Sequence, residues 1–426
     1  MSNILNIGKT ALNVAQLGIA TTGHNIANAA TPGYNRQVIV QAAAKSQNSG
    51  SGFVGQGAEV TGINRIYNAT LAKQMLNTTS SSGASSAYYS QISEINNLLS
   101  DPNAGLNPVM TQFFAATSAA AANPNDVAAR QTLLSSANTM VNRFGSINNR
   151  LDEIRQSLNT QISASVTSIN SYATQIAQLN TVIDKALSST GNPPNDLMDQ
   201  RDLLISELSK QVKTSVIQQS DGTYNVFVGN GMPLVVGEET YNLYTRPNYN
   251  DPNRTEIAYG DPSNPKIINS ATLSGGSLGG ILQFRSETLD TVQNQIGQLA
   301  VTLATQVNNQ LQAGYTLSDK NSDGNTDQGV ALFNIGGPLV TSNTNNTDQS
   351  KQATASIVPG QIANLTSSDY TLKFTGGQYN VIRNSDRTVT TVAPGALPVV
   401  VDGIQFNVNT LTPAEGDEYL IRPTQG

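Results

Sequence analysis

Cysteine and tryptophan are absent from the chain, and histidine occurs once, as His24. Without thiols there is no disulfide framework, no cysteine nucleophile and no thiolate metal site. One imidazole supplies no histidine cluster for zinc. Charged residues make up 12% of the 426 positions, and the net charge of −6 is spread thinly. No basic patch of the kind that holds nucleic acid is visible, so no nucleic-acid partner is expected. No run reaches about 18 consecutive apolar residues, so membrane insertion is not expected either. The N-terminus also lacks a basic region, apolar core and cleavage site in signal-peptide order. A chain free of cysteine fits export.

What the chain has instead is Asn, Gln, Ser, Thr, Ala and Gly. A surface of that kind does not depend on ion pairs, which salt screens. It suits a polymer outside the cell. The length predicts several domains.

Leu5, Leu12, Ile19 and Ile26 recur every seven residues, and Ala11, Ala15 and Ala20 keep neighbouring positions small. This is a seam for a partner helix. Lys9 is the one charged residue before Arg36. A helix of about 25 residues here would be roughly 37 Å long. Thr31-Pro32-Gly33 stops it, because Pro32 disfavours α geometry at Thr31 and Gly33 can make the turn. From Gln37 to about Ile66, alternation at Val38 and Val40 and glycines 50, 52, 55 and 57 predict a loop with short strands.

Helical periodicity resumes near Thr70 and runs to about Leu99. Asp101-Pro102-Asn103 and Asn123-Pro124-Asn125-Asp126 are breaks, with a shorter apolar helix through Val109, Phe113 and Phe114 between them. The strongest pattern follows: Leu133, Ala137, Met140, Phe144, Ile147, Leu151, Ile154 and Leu158 alternate steps of four and three. Ile162 then comes four residues on where three is due, a stutter, and the stripe continues to Leu187. A helix of about 57 residues would span roughly 85 Å. Asn192-Pro193-Pro194 ends it.

Asp196, Asp199 and Asp202 sit in the early turns of the next helix, where the dipole favours negative charge. A paired-carboxylate catalytic reading lacks any accompanying nucleophile, base and oxyanion set. Val216-Ile217, a turn at Asp221-Gly222 and Tyr224–Val228 predict a hairpin, with Leu234–Val236 as a third strand. Residues 245–265 read as loop. Ser274–Gly280 lacks the spacing of a phosphate-binding loop and is read as a helix start with close backbone packing. The helix beyond it, with Leu282, Leu289, Val292, Ile296, Leu299, Leu303 and Val307 on one stripe, is expected to lie against the long one. Asp319-x-Asn321-x-Asp323-Gly324 with Asp327 copies half a calcium loop, but Val330 stands where the bidentate Glu is needed, so a polar turn is preferred. Alternating segments from Ala353 to Gly426 predict a small β-sandwich or barrel-like domain.

The fold class is therefore α+β and multidomain: a long coiled-coil-like helical bundle with a small β hairpin region, plus a C-terminal all-β domain. The divisions are a seam helix at 1–36, an extended linker at 37–69, a helical rod domain at 70–314 with its hairpin at about 214–240, and an outer β domain at 315–426.

The run Asn28, Thr31, Pro32, Gly33, Tyr34, Arg36 resembles the N-terminal signature of flagellar rod, hook and hook-associated proteins. Val60…Ile63…Arg65…Leu71…Gln74 is similar to that family's next pattern, with Asn68 where the family usually has Asp. Asp199-Gln200-Arg201-Asp202 and Gly416–Pro423 resemble family stretches too. The resemblance implies a non-enzymatic axial subunit joining hook to filament, outside the cell, exported by the flagellar type III pathway without a cleaved signal. It implies no cofactor, no catalytic site and no metal. The partners it implies are copies of the chain, the hook protein, the second junction protein and the export machinery. Leu5, Leu12, Ile19 and Ile26 would carry packing, and Thr31 to Arg36 would set the chain's exit. A stalked adhesin and an Asp-based hydrolase are the competing classes, and the Thr-Pro-Gly-Tyr context favours neither.

The family also places a long helical segment at the C-terminus to pair with the first helix, and the sequence stops at Gly426 before any such segment. The apolar stripes of the long helices are expected to be covered by neighbouring copies. Residues 1–36 are expected to be mobile, or held by another chain, in dilute solution. Fast hydrogen exchange across Ile4–Ile26 would be the sign of this, and strong protection in a monomer would contradict it.

Overall fold

The computed structural model describes residues 2–48, 50, 52–102, 104–317, 327–350, 352–408 and 414–425. Helix α1 (Ser2–Ala27) leads into strands β1 (Gln37–Ala43), β2 (Gln47–Asn48), β3 (Phe53–Val54) and β4 (Ala58–Arg65). Helices α2 (Ala69–Ser100), α3 (Leu106–Ala122), α4 (Val127–Thr190) and α5 (Asn195–Gln211) follow. Next come β5 (Thr214–Gln218), β6 (Tyr224–Val228), β7 (Met232–Val236), β8 (Glu239–Thr240), β9 (Leu243–Pro247), β10 (Thr255–Tyr259) and β11 (Lys266–Ile267). Helices α6 (Gly276–Phe284) and α7 (Asp290–Gln312) precede the last strands: β12 (Leu339–Ser342), β13 (Ala353–Ile357), β14 (Tyr370–Thr375), β15 (Gln378–Arg383), β16 (Val389–Val392), β17 (Val399–Val401), β18 (Ile404–Val408) and β19 (Glu418–Arg422).

The chain divides into two compact units, each assembled from three segments. One is Met1–Tyr88, Ile162–Thr245 and Ile257–Leu282; the other is Tyr89–Gln161, Arg246–Glu256 and Gln283–Gly426. Helix α4 contributes to both.

In the first unit, β1 and β4 pair antiparallel from Gln37↔Arg65 to Ala43↔Ala58, with a register shift between Val40 and Gln41. Asn68 Oδ1 accepts the backbone N–H groups of Thr70 and Leu71 at 3.0 and 3.1 Å, capping α2 as an aspartate would. The glycine-rich run is indeed a helix start packed backbone to backbone. A Cβ on Gly276, which has φ +63°, would lie 2.2 Å from Val212 N, and one on Gly280 would lie 2.2 Å from Ala84 O. Strands β5 to β8 form a four-stranded antiparallel sheet in sequence order.

Helix α4 is 64 residues long and uninterrupted. Leu151, Leu158, Ile162, Ile169, Ala173 and Ile176 are fully buried, so the stutter keeps both Leu158 and Ile162 inside. The expectation that this stripe awaits neighbouring copies therefore fails: the chain covers it itself. In the second unit the cover is visible, as Ala137 and Met140 pack with Phe113 of α3 and with Leu303, Val307 and Phe333. Polar residues on α4 serve a different purpose. Asn170 donates to Leu243 O at 2.8 Å and accepts from Leu243 N at 2.9 Å, mimicking a neighbouring strand. Asn180 does the same with Tyr224 at 2.8 and 3.1 Å, and Asn159 bridges Asn253 O and Thr255 N.

Residues 245–265 are not all loop. Strand β10 buries Glu256, Ile257 and Ala258, and Glu256 is held by Arg254 at 2.7 Å and Arg285 at 2.9 Å. The stripe around α7 also departs from expectation. A π turn at Arg285–Leu289 adds a residue before α7, and Leu299 is 40% exposed while Gln293 and Asn294 are buried. Asn294 donates to Asp369, whose carboxyl burial pushes up to about 6 against the pull of Arg422.

The C-terminal strands make two sheets, β12-β19-β14-β15-β16 and β13-β18-β17. Tyr370, Leu372, Tyr379, Val381, Ile404, Phe406 and Ile421 fill the core between them, and Val301 of α7 packs on its margin. Ala353–Ile357, where the alternating region begins, forms β13. Of the calcium-like run, Asp319, Asn321, Asp323 and Gly324 lie outside the described residues. The main-chain carbonyl of Asp327 accepts from Thr316 N at 2.7 Å.

Gly280→Ala is expected to lower stability by about 1–3 kcal/mol, because the methyl has only backbone to displace. Gly145→Ala is the control: its added carbon meets nothing within 4 Å in an exposed helix position and should be neutral or stabilising. Thermal unfolding of both variants checks this.

Candidate assembly surface

Helix α1 is amphipathic: leucines and isoleucines alternate with Asn6, Lys9, Asn13 and Gln16, and Thr21 and Thr22 turn their hydroxyls onto the carbonyls of Leu17 and Gly18. One of its faces sits on the β1–β4 hairpin. Val14 is buried, a Cβ on Gly18 would stand 3.5 Å from Ile39 Cδ1, and Gly57, at φ +93°, comes so close to Thr10 that a Cβ would not fit. The other face is bare. Leu5, Leu12, Ile19 and Ile26 are 79, 61, 73 and 72% exposed, with Ile4 beside them at 79%. Covering an aliphatic side chain of this size is worth about 1.5–3 kcal/mol, so four of them offer an upper bound of about 6–12 kcal/mol to whatever packs there. That is a large driving force left unused within one chain.

Helix α1 ends at Ala27, and the next residues form a chain of turns: Asn28 N donates to His24 O, Thr31 N to Asn28 O and Tyr34 N to Thr31 O. Asn28 Nδ2 also donates to His24 O, and its Oδ1 accepts from Thr31 Oγ1 at 3.2 Å. Gly33 takes φ +81° with Leu203 pressed against it, 3.0 Å from where a Cβ would stand. Tyr34 Oη donates to Asn25 Oδ1 at 2.6 Å. Asn25 also accepts from Gln37 N and donates to Gln37 O, both at 2.8 Å. Pro32 and Arg36 are exposed, and the carbonyl of Arg36 takes Ile66 N at 2.8 Å.

Helix α5 anchors this exit. Asn35 gives Asp199 two hydrogen bonds, from its backbone N at 2.8 Å and its Nδ2 at 2.7 Å. Arg65, at the end of β4, donates to Asp199 at 2.8 Å and to Asp202 at 2.6 Å, with its side chain and that of Asp199 almost wholly out of water. Gln37 Nε2 donates to Asp196 Oδ1 at 2.7 Å, and Asn195 Nδ2 to Ile63 O at 2.7 Å. His24 Nε2 stands 3.4 Å from Asp196. Burial raises the Asp202 carboxyl against the pull of Arg65. Burial also opposes the charge on Arg65, but its two carboxylates outweigh that and raise its pKa. Between Asp199 and Asp202 in sequence, Arg201 points into the unit, its guanidinium 3.5 Å from the centre of the Tyr224 ring and bonded to Asn180 Oδ1 and Gly222 O.

The structure therefore joins two runs far apart in sequence, 28–37 and 195–203. Asn25 to Gln37 are tied down within the chain, whereas Val14 is the one buried residue between Ile4 and Ala27. Asp199 and Asp202 are structural anions with a cation between them, not a poised acid and base. Among the described residues, no group of three or more His, Asp or Glu side chains is placed to hold a metal ion, and no helix is long and apolar enough to cross a membrane. Sequence reasoning missed Asn25, Asn35 and Gln37 as anchors. The three-residue spacing of Asp196, Asp199 and Asp202 on one helical face was the available signal.

Comparisons with known proteins converge on one family. A family model described as the flagellar hook-associated protein FlgK helical domain matches residues 92–333, and one described as flagellar hook-associated protein 1, D2-like domain, matches residues 341–423. The chain is 38% identical over 428 residues to flagellar hook-associated protein 1 of Salmonella typhimurium, covering 99% of this chain and 75% of that one. It is 38% identical over 427 residues to the Escherichia coli K12 protein of the same name, covering 99% and 76%. Its fold is similar to that of the flagellar hook junction protein FlgK from Burkholderia pseudomallei, with a TM-score of 0.74 and 36% identity. That match covers 83% of this chain and 63% of the solved one, so the chain spans less than two thirds of the solved protein.

Asp199→Ala removes three hydrogen bonds to charged oxygen and leaves Asn35 N without a partner. It is expected to cost about 2–4 kcal/mol locally. Hydrogen exchange at the Asn35 amide should accelerate strongly while amides in β14 and β15 stay protected.

Proposed function

The chain belongs to the flagellar hook-associated protein 1 family, and from that premise we propose that it is a structural subunit of the bacterial flagellar axis that joins hook to filament. It acts by packing and not by catalysis. The observation that carries this reading is the bare apolar face of α1, held in a set direction by the buried contacts of Arg65, Asn35 and Asp199. A helix that was only a loose tail would need no such anchor. A helix that belonged to a closed monomer would not leave Leu5, Leu12, Ile19 and Ile26 in water.

In this reading residues 1–36 enter the wall of the tube, 37–69 carry the chain out of it, 70–314 form the rod domain and 315–426 face outward. Asn28, Thr31, Pro32, Gly33, Tyr34 and Arg36 set the exit angle between wall and rod. Partners are further copies of the chain, the hook protein on one side and the second junction protein on the other. Delivery is by the flagellar type III export machinery without a cleaved signal, to a final place outside the cell.

Leu12→Asp in the full-length protein puts a charge in the seam without touching the anchor. Cells carrying it should show hooks without filaments and shed flagellin into the medium, while the purified variant keeps its circular dichroism and unfolding transition. Normal motility would contradict the role given to the seam.

A further inference from the structure

We propose that copies of this chain also meet through a second, unlike pair of surfaces: a bare row on the first turns of α4 of one copy, and the acidic edge of the β5–β8 sheet of the next. This rests on the self-association reading above and names the surfaces it uses beyond α1.

Helix α4 carries two apolar rows at its start. Leu133, Ala137, Met140 and Phe144 form the row that packs inside the chain. One residue further round, Val127, Leu134 and Val141 form a row with the same seven-residue step, 69, 45 and 50% exposed. Arg130 lies within this second row, exposed and with no ion pair among the described residues. Past Val141 the small residues Gly145 and Ser146 leave an open, low stretch of helix surface, beyond which Arg150 and Glu153 form an ion pair.

The sheet edge offers the complement. Val236 at the end of β7 and Tyr241 just past β8 are exposed, and Glu238 in the turn and Glu239 at the start of β8 are exposed too, likewise without an ion pair among the described residues. An apolar residue, two free anions and an aromatic ring match an apolar row, a free cation and a low, open stretch. Charge decides how the surfaces combine. Pairing α4 rows with each other would bring Arg130 against Arg130, and pairing sheet edges would gather four glutamates, so like meets unlike. A contact between different surfaces of identical copies repeats around a ring or along a helix, as a two-fold contact does not.

Because the chain lacks cysteine, introduced thiols report without background. Full-length protein carrying Leu134→Cys and Val236→Cys is recovered from the flagella of cells and treated with a short bismaleimide. Linked dimers and higher multimers are expected on denaturing gels, with at least tenfold less from either single variant. In parallel, Glu238→Arg with Glu239→Arg should reduce incorporation at least tenfold, and adding Arg130→Glu should restore it. Incorporated double-cysteine protein that gives no linked product overturns the contact. If the cysteine pair does not incorporate, the charge exchange decides, and absence of rescue overturns the contact. Failure of the unaltered chain to enter flagella at all would instead overturn the self-association reading, so the two failures are distinct.

Discussion

A guanidinium enclosed by two carboxylates fastens the N-terminal arm to the rest of its unit. Removing Arg65 and Asp199 from water costs several kcal/mol per ion, and this is recovered only if every charge finds close partners. Here Asp199 receives Arg65 together with the backbone and amide of Asn35, and Asp202 takes the remaining side of the cation. Shielded from solvent, such a set is weakly screened by salt. The surface ion pairs of this chain, such as Arg150 with Glu94, have no comparable shelter. Rigidity is therefore concentrated where β4, the exit turns and α5 converge. The direction of α1 follows from that point, since its inner face lies on the same hairpin that ends in Arg65.

Apolar periodicity reports that a face will be covered and is silent about what covers it. Two stripes with nearly the same spacing end differently here. The one on α4 is filled by α3, α7 and other parts of the same chain; the one on α1 meets nothing. The difference lies in supply. Beside α4 the sequence provides further amphipathic helices, whereas beside α1 it provides a two-stranded hairpin wide enough for one side of a helix only.

Much of the architecture was readable in the residues, for physical reasons that can be named. The end of α1 followed from Pro32 and Gly33, and the β5–β7 meander from Asp221-Gly222 and its flanking alternation. Helix α4 begins at Val127, six residues before its apolar stripe, because Asp126 in the Asn123–Asp126 break caps it and Ala128 and Ala129 favour helix. Strand β10 hid among Pro and Asn because its burial depends on Arg254 and Arg285 neutralising Glu256, a tertiary fact. Leu299 is exposed although Ile296 and Leu303 beside it on α7 are partly buried, so periodicity marked the stripe but not how far its cover extends. At the anchor, the acids were visible but their partners were 134 to 164 residues away, beyond what local pattern can reach.

The asparagines of α4 have a consequence for how the molecule ages. Asn170 and Asn180 each present an amide group to a strand's carbonyl, in the manner of a missing peptide unit. Hydrolytic loss of ammonia from either would convert a donor into a carboxylate facing a carbonyl oxygen, turning attraction into repulsion. Each asparagine donates and accepts at its strand, so the change would lose the donated bond and keep the accepted one.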